Sequence, residues 1–250
     1  MPIYDPDHVE YTIASGRIQI AMDDGQQLPA YWAHPERGAR FPGIALIHDW
    51  WGVDEIVRRL ANFFAQTGYY VIVPDLFNGQ LASTAVQAMA LVESLGDAGY
   101  PRVHTALSVL EQHHQCNGNV AAIGLGMGGS LAYEAAIVRA DLEAAIAFGG
   151  FPQRYFGRFK DGNTPILAFY GSQEPYTQPA VIQKLRSELA KSPLGEEHQV
   201  VVIESLEHQF FGDSLTAQQR ELSRGAIHMA LTFLEEHLEG PTRPPDRQVI

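Results

Sequence analysis

Glu174 follows one short apolar run of this chain, and His208 follows the next. An acid that orients a histidine leaves the far ring nitrogen free to take a proton, the pairing used in general-base catalysis. A third segment, Gly124-Leu125-Gly126-Met127-Gly128-Gly129-Ser130, follows an earlier apolar run and opens a helical pattern. Two kinds of chemistry use such a turn. A strained elbow of the G-x-S-x-G kind presents a nucleophile, whereas G-x-G-x-x-G wraps a dinucleotide pyrophosphate at a helix N-terminus. Gly124, Gly126 and Gly129 match the second spacing literally. A dinucleotide site also needs an acidic residue at the end of the next strand, about 20 residues on. That run ends Ala147-Phe148-Gly149-Gly150, and Asp141 and Glu143 stand at its other end. No cofactor is therefore expected. No His, Asp or Glu spacing resembles a metal site, and a lone cysteine, Cys116, cannot build one.

A fourth segment, His48-Asp49-Trp50-Trp51-Gly52, closes another apolar run. Two adjacent indoles and a carboxylate at a strand end suit one wall of a pocket, with backbone N–H groups available there. They suit equally a hydrophobic cap over the sheet. Asp75, after Pro74, reads as a turn residue that accepts from local N–H groups.

The elements that would position these groups alternate. Strand-like runs cover residues 17–22, 28–34, 44–48, 70–73, 120–123, 144–148, 166–170 and 200–204; helical patterns cover 54–66, 86–95, 103–112, 130–139, 181–190 and 218–237. The first two runs flank Asp23-Asp24-Gly25 and predict a hairpin. The later ones are short and continuously apolar, as expected of strands covered on both faces of a parallel sheet. The pattern predicts an α/β fold: a three-layer sandwich with a mostly parallel sheet and an N-terminal antiparallel hairpin. In such sheets ligands bind at the carboxyl ends of the strands. The chain order of elbow, acid and histidine is that of α/β-hydrolases.

At 250 residues, 46% of them hydrophobic, the chain suits a single domain over 1–239, followed by a tail at 240–250 that Gly240, Pro241, Pro244 and Pro245 keep out of the preceding helix. A single cysteine excludes a disulfide-stapled scaffold and points to a reducing, cytoplasmic home. The net charge of -12 disfavours nucleic acid and anionic lipid as partners. Neither a signal peptide nor a membrane-spanning run is expected.

Taken together, these strand ends resemble the dienelactone hydrolase family of the α/β-hydrolases. Asp49-Trp50-Trp51-Gly52 is similar to the family's E-x-x-G, and Gly68-Tyr69-Tyr70 with Pro74-Asp75-Leu76-Phe77 to its G-Y and P-D-L-Y. Gly124 to Tyr133 is similar to G-x-C-x-G-G-x-L-A-Y, Gly171 to Glu174 to G-x-x-D, and His208-Gln209-Phe210 to H-x-F. The resemblance implies a hydrolase of ester or lactone bonds with His208 as base and Glu174 as its acid. It places the family's nucleophilic cysteine on Gly126, where no side chain exists to carry an acyl group. Ser130, one helical turn on, is expected to face the core. The arginines that bind a substrate carboxylate in dienelactone-cleaving members are replaced here by Asn78-Gly79-Gln80 and Phe211-Gly212-Asp213.

Two functions follow as expectations. In the first, His208 activates a water lodged in the space left at Gly126, and the N–H groups of Met127 and Trp50 form an oxyanion hole. In the second, the pocket survives in a catalytically inactive binding protein. Asp49, Trp51, Phe77, Phe210 and Phe211 are the expected lining in either case. The partner is a small ester, lactone or apolar ligand, and the protein a monomer or homodimer.

Overall fold

The computed structural model describes residues 11–36 and 38–242. The chain opens on a hairpin of β1 (Ile13–Ala21) and β2 (Gln27–Pro35), in antiparallel register from Ile13 opposite Pro35 to Ala21 opposite Gln27. Then come β3 (Phe41–Ile47), α1 (Glu55–Gln66), β4 (Tyr70–Pro74), α2 (Ala85–Leu95), α3 (Gly99–Gln112), β5 (Cys116–Leu125) and α4 (Met127–Val138). β6 (Ala144–Phe148), β7 (Ile166–Gly171), α5 (Pro179–Leu189), β8 (Gln199–Ile203) and α6 (Ala217–His237) complete the order.

The strands form one eight-stranded sheet in the order β1-β2-β4-β3-β5-β6-β7-β8. The hairpin joins it through an antiparallel contact between β2 and β4, and every later neighbour is parallel. Each residue of β3, β4, β6 and β7 is buried, which is why their sequences run apolar without alternation. Side chains still alternate between two cores. Ile44 and Leu46 face the layer of α1 and α6, with Phe63, Phe64, Ile227 and Phe233. Ala45 and Ile47 face α3, α4 and α5, with Leu107, Leu110, Tyr133 and Leu185.

Local caps fix where the helices begin. Asp54 accepts from Val57 N at 2.9 Å and starts α1 directly below the Trp50-Trp51 segment. Thr216 and Gln219 form a reciprocal capping box at the head of α6. Past α6 the chain is tied down through Thr242, which bridges Arg40 antiparallel; the rest of the proline-rich tail lies outside the described residues. Among the described residues no helix is long and apolar enough to cross a membrane.

Candidate active site

Gly126 stands between β5 and α4 with φ +50° and ψ −112°, so the chain turns from strand to helix within one residue. A left-handed φ at this point favours glycine. The turn is tight because α4 starts hard against the sheet: a Cβ on Gly124 would overlap the carbonyl of Gly128, and one on Gly128 would overlap the carbonyl of Ile47. These glycines serve packing, and the first turn of α4 brings the N–H of Met127 to the carboxyl edge of β3.

There it meets Asp49. Its Oδ1 accepts from Met127 N at 3.0 Å and from its neighbour Trp50 N at 2.7 Å. Both N–H groups expected to form an oxyanion hole are thus present, converge on one point, and are engaged by this carboxylate. A Cβ placed on Gly126 would overlap Oδ1, Cγ and Oδ2 of Asp49. The space expected to hold a water is filled by the Asp49 side chain. A dinucleotide phosphate in front of this turn would meet the same negative charge. Burial pushes the Asp49 carboxyl above its ordinary range, an effect that the two N–H bonds oppose.

Asp49 is itself held from behind by His48, a residue sequence reasoning passed over. The fully buried His48 ring donates from Nδ1 to Asp49 O at 2.6 Å and accepts at Nε2 from Leu76 N at 3.0 Å. That bonding requires the neutral ring, and desolvation lowers its pKa accordingly.

β7 and β8 bring the acid and the histidine together. His208 Nδ1 donates to Glu174 Oε2 at 2.9 Å and to Oε1 at 3.1 Å, with side chains 14% and 2% exposed. Oε1 also accepts from Tyr176 N at 2.9 Å, which fixes the carboxylate plane. The proton on Nδ1 leaves Nε2 as the acceptor, and no hydrogen bond of the described residues occupies it. The His208 ring stacks on Phe151 at 5.6 Å and meets Tyr176 edge-on at 5.0 Å. Neither aromatic was anticipated, although each follows a strand-end segment already singled out.

Asp49 and His208 face a common cleft of two lobes, which also share Trp50 and Tyr176. One lobe, about 210 Å³, is walled by Trp51, Phe148, Phe210 and Phe211. The other, about 240 Å³, is walled by Val92, Met127, Ser130 and Phe151. Two expectations about the lining need correction. Phe77 lies outside both lobes, 3% exposed, with its ring against His48 at 5.0 Å in the core on the α3 side of the sheet. Ser130 is half-buried rather than turned into the core, and its Oγ accepts from Phe151 N at 2.9 Å. Phe210 and Phe211, 2% and 4% exposed, line the first lobe as expected. Asp75 serves its turn as expected, accepting from Phe77 N and Gly79 N.

A mostly parallel sheet with a glycine elbow after β5, an acid after β7 and a histidine after β8 defines an α/β-hydrolase. The dienelactone hydrolase family model matches residues 28–238, and the chain belongs to that family. The carboxymethylenebutenolidase of Pseudomonas putida is 23% identical over 192 residues, covering 72% of this chain and 80% of its own. The dienelactone hydrolase of Anabaena variabilis superposes with a TM-score of 0.69 at 18% identity, over 92% of this chain and all of its own. A dienelactone hydrolase-like promiscuous phosphotriesterase from metagenomic libraries superposes at 0.76 and 20% identity, over 89% of this chain and 98% of its own.

Proposed function

We propose that this chain hydrolyses ester or lactone bonds with a water activated by His208, which Glu174 orients, and without an acyl-enzyme at the elbow. The observation that carries this reading is the bidentate contact of His208 Nδ1 with the buried Glu174 carboxylate, which leaves Nε2, unpartnered among the described residues, as the acceptor of a ring that lines the cleft. Gly126, at the position the resemblance gives to the nucleophilic cysteine, has no atom to acylate. Met127 N and Trp50 N receive the developing oxyanion once Asp49 releases them. Because Asp49 occupies both in the resting site, ester turnover is slow; hydrolases lacking one triad member retain roughly 10³–10⁴-fold over water. Trp51 and Phe148 select uncharged, apolar substrates, and among the described residues neither lobe of the cleft is lined by an arginine that could hold a substrate carboxylate.

The same occupancy of the N–H pair favours a second reading, a binding protein for a small apolar ligand. Steady-state hydrolysis of p-nitrophenyl acetate and butyrate separates the two. Native turnover that His208→Ala abolishes supports the hydrolase. Turnover indifferent to His208→Ala ends it, and saturable quenching of tryptophan fluorescence by an apolar ligand without turnover supports the binder.

A further inference from the structure

We propose that Asp49 is itself a nucleophile and that this site hydrolyses alkyl halides through an ester formed on the Asp49 carboxylate. The proposal shares with the hydrolase reading the use of His208 and Glu174 to activate water and of Trp50 N and Met127 N to stabilise an oxyanion, and differs in the nucleophile and the substrate.

Asp49 occupies the place of an elbow side chain while belonging to a different strand. Its carboxylate fills the volume a Cβ on Gly126 would need, beside the cleft that His208 also lines. Oδ1 is fixed by Trp50 N and Met127 N, and no hydrogen bond among the described residues reaches Oδ2. A carboxylate anchored through one oxygen presents the other to a bound electrophile in a set direction, which is the condition for nucleophilic attack by a weak base.

The N–H pair decides the kind of electrophile. An acyl substrate must seat its carbonyl oxygen between Trp50 N and Met127 N, where Asp49 already sits. An sp³ carbon carries no oxygen that needs them. Oδ2 attacks that carbon, the carbon–halogen bond breaks, and the halide leaves with the electron pair. The product is an ester whose carbonyl oxygen is Oδ1, already lodged between the two donors. His208 Nε2 then takes a proton from water as the hydroxyl oxygen adds to Cγ of Asp49. Negative charge develops on Oδ1, where the two N–H groups stabilise it. The intermediate collapses with cleavage of the Cγ–Oδ2 bond, and the imidazolium returns its proton to the departing alcohol. The carboxyl group left behind loses its remaining proton to solvent, so alkyl halide and water become alcohol, halide and a proton.

A halide departs as a stable anion and needs no general acid. Trp50 and Trp51 line the cleft, and neither indole N–H donates to a protein acceptor in the described hydrogen bonds, so two donors remain for that anion. The walls contributed by Phe148 and Phe151 suit a neutral alkyl chain.

The test uses 1-bromobutane with the native protein, Asp49→Asn and His208→Ala. Bromide release by the native protein is expected to fall at least about 100-fold in Asp49→Asn, whose carbonyl still accepts from both N–H groups. In His208→Ala the first step proceeds and the second stops, so the intact mass rises by one butyl group that peptide mapping places on Asp49. A single turnover of the native protein in H₂¹⁸O is expected to label the Asp49 carboxylate and leave the first butanol unlabelled. Absence of the adduct, a butyl group found only on Cys116, or bromide release unaffected by Asp49→Asn overturns the proposal. Ester turnover that depends on His208, without an Asp49 adduct, sinks this inference and leaves the hydrolase reading standing. An Asp49 adduct without ester turnover does the reverse.

Discussion

Asp49 and Gly126 share one volume: the Asp49 carboxylate lies where any side chain at residue 126 would begin. The two residues sit on neighbouring strand ends, β3 and β5, which run parallel with Ile47 opposite Gly124. Glycine at the elbow is therefore a steric partner of Asp49 and not simply an empty position. Each change in one has consequences for the other.

Gly126→Cys alone is expected to destabilise the protein and to gain little esterase activity. A cysteine here adopts a left-handed φ and collides with a buried carboxylate, a combination that costs about 1–3 kcal/mol. Pairing it with Asp49→Ala removes the collision and frees Trp50 N and Met127 N. The double variant is expected to recover most of the lost stability in urea unfolding. It should also show a burst of p-nitrophenol, equal to the enzyme concentration, when mixed with p-nitrophenyl acetate. A single variant that bursts as strongly as the double would mean that Asp49 moves aside freely.

The fold was readable because of how the sheet is buried. Residues 44–47 (the 44–48 run up to His48), 70–73, 144–148 and 166–170 run apolar without a break since helices cover both faces, and the strands observed there coincide with those runs to within a few residues. The acid and histidine were readable as side chains at successive strand ends. The state of the N–H pair was not, because backbone donors leave no mark in a sequence, and Asp49 and Met127 lie 78 residues apart. Phe77 was misplaced for a related reason. Beyond the last strand residue nothing in the local pattern says which core a turn aromatic enters, and here the buried ring of His48 draws it to the α3 side.

Asp49→Asn is expected to stabilise the protein at neutral pH. Burial raises the Asp49 carboxyl pKa despite two N–H bonds, so the folded state favours the uncharged form and the ionised form is held at some expense. An amide keeps the acceptor for Trp50 N and Met127 N and removes the desolvated charge. A gain of roughly 0.5–2 kcal/mol is expected, the range typical of substitutions that relieve a strained functional site. It is measured as the difference in urea midpoint at pH 7.5, at constant m. A loss of stability in Asp49→Asn would mean that the N–H bonds outweigh the burial and that the carboxylate is structural.

Mild acid should weaken the fold through its neutral histidines. His198 accepts from Ile166 N at 3.0 Å through Nδ1 and pairs with Ser192 Oγ at 2.7 Å through Nε2, tying the start of β7 to the turn after α5. Burial lowers its pKa from 6.5 to about 4. The unfolded chain therefore takes up a proton below pH 6.5 that the folded ring refuses. Stability from this group is complete above pH 6.5, is lost as the pH falls from there to about 4, and changes no further below. His48, whose pKa is lowered by burial in the same sense, adds to the loss. Asp49 and Glu143, whose carboxyls burial raises, act in the opposite direction, so a single stability curve mixes both signs. The difference between native protein and His198→Gln isolates the term. The variant is less stable at pH 7.5, where the bonds to Ile166 and Ser192 are lost, and the gap should close as the pH falls from 6.5 to 4. A gap of constant width across that interval would show that the folded protein accepts the proton on His198 as readily as the unfolded chain does.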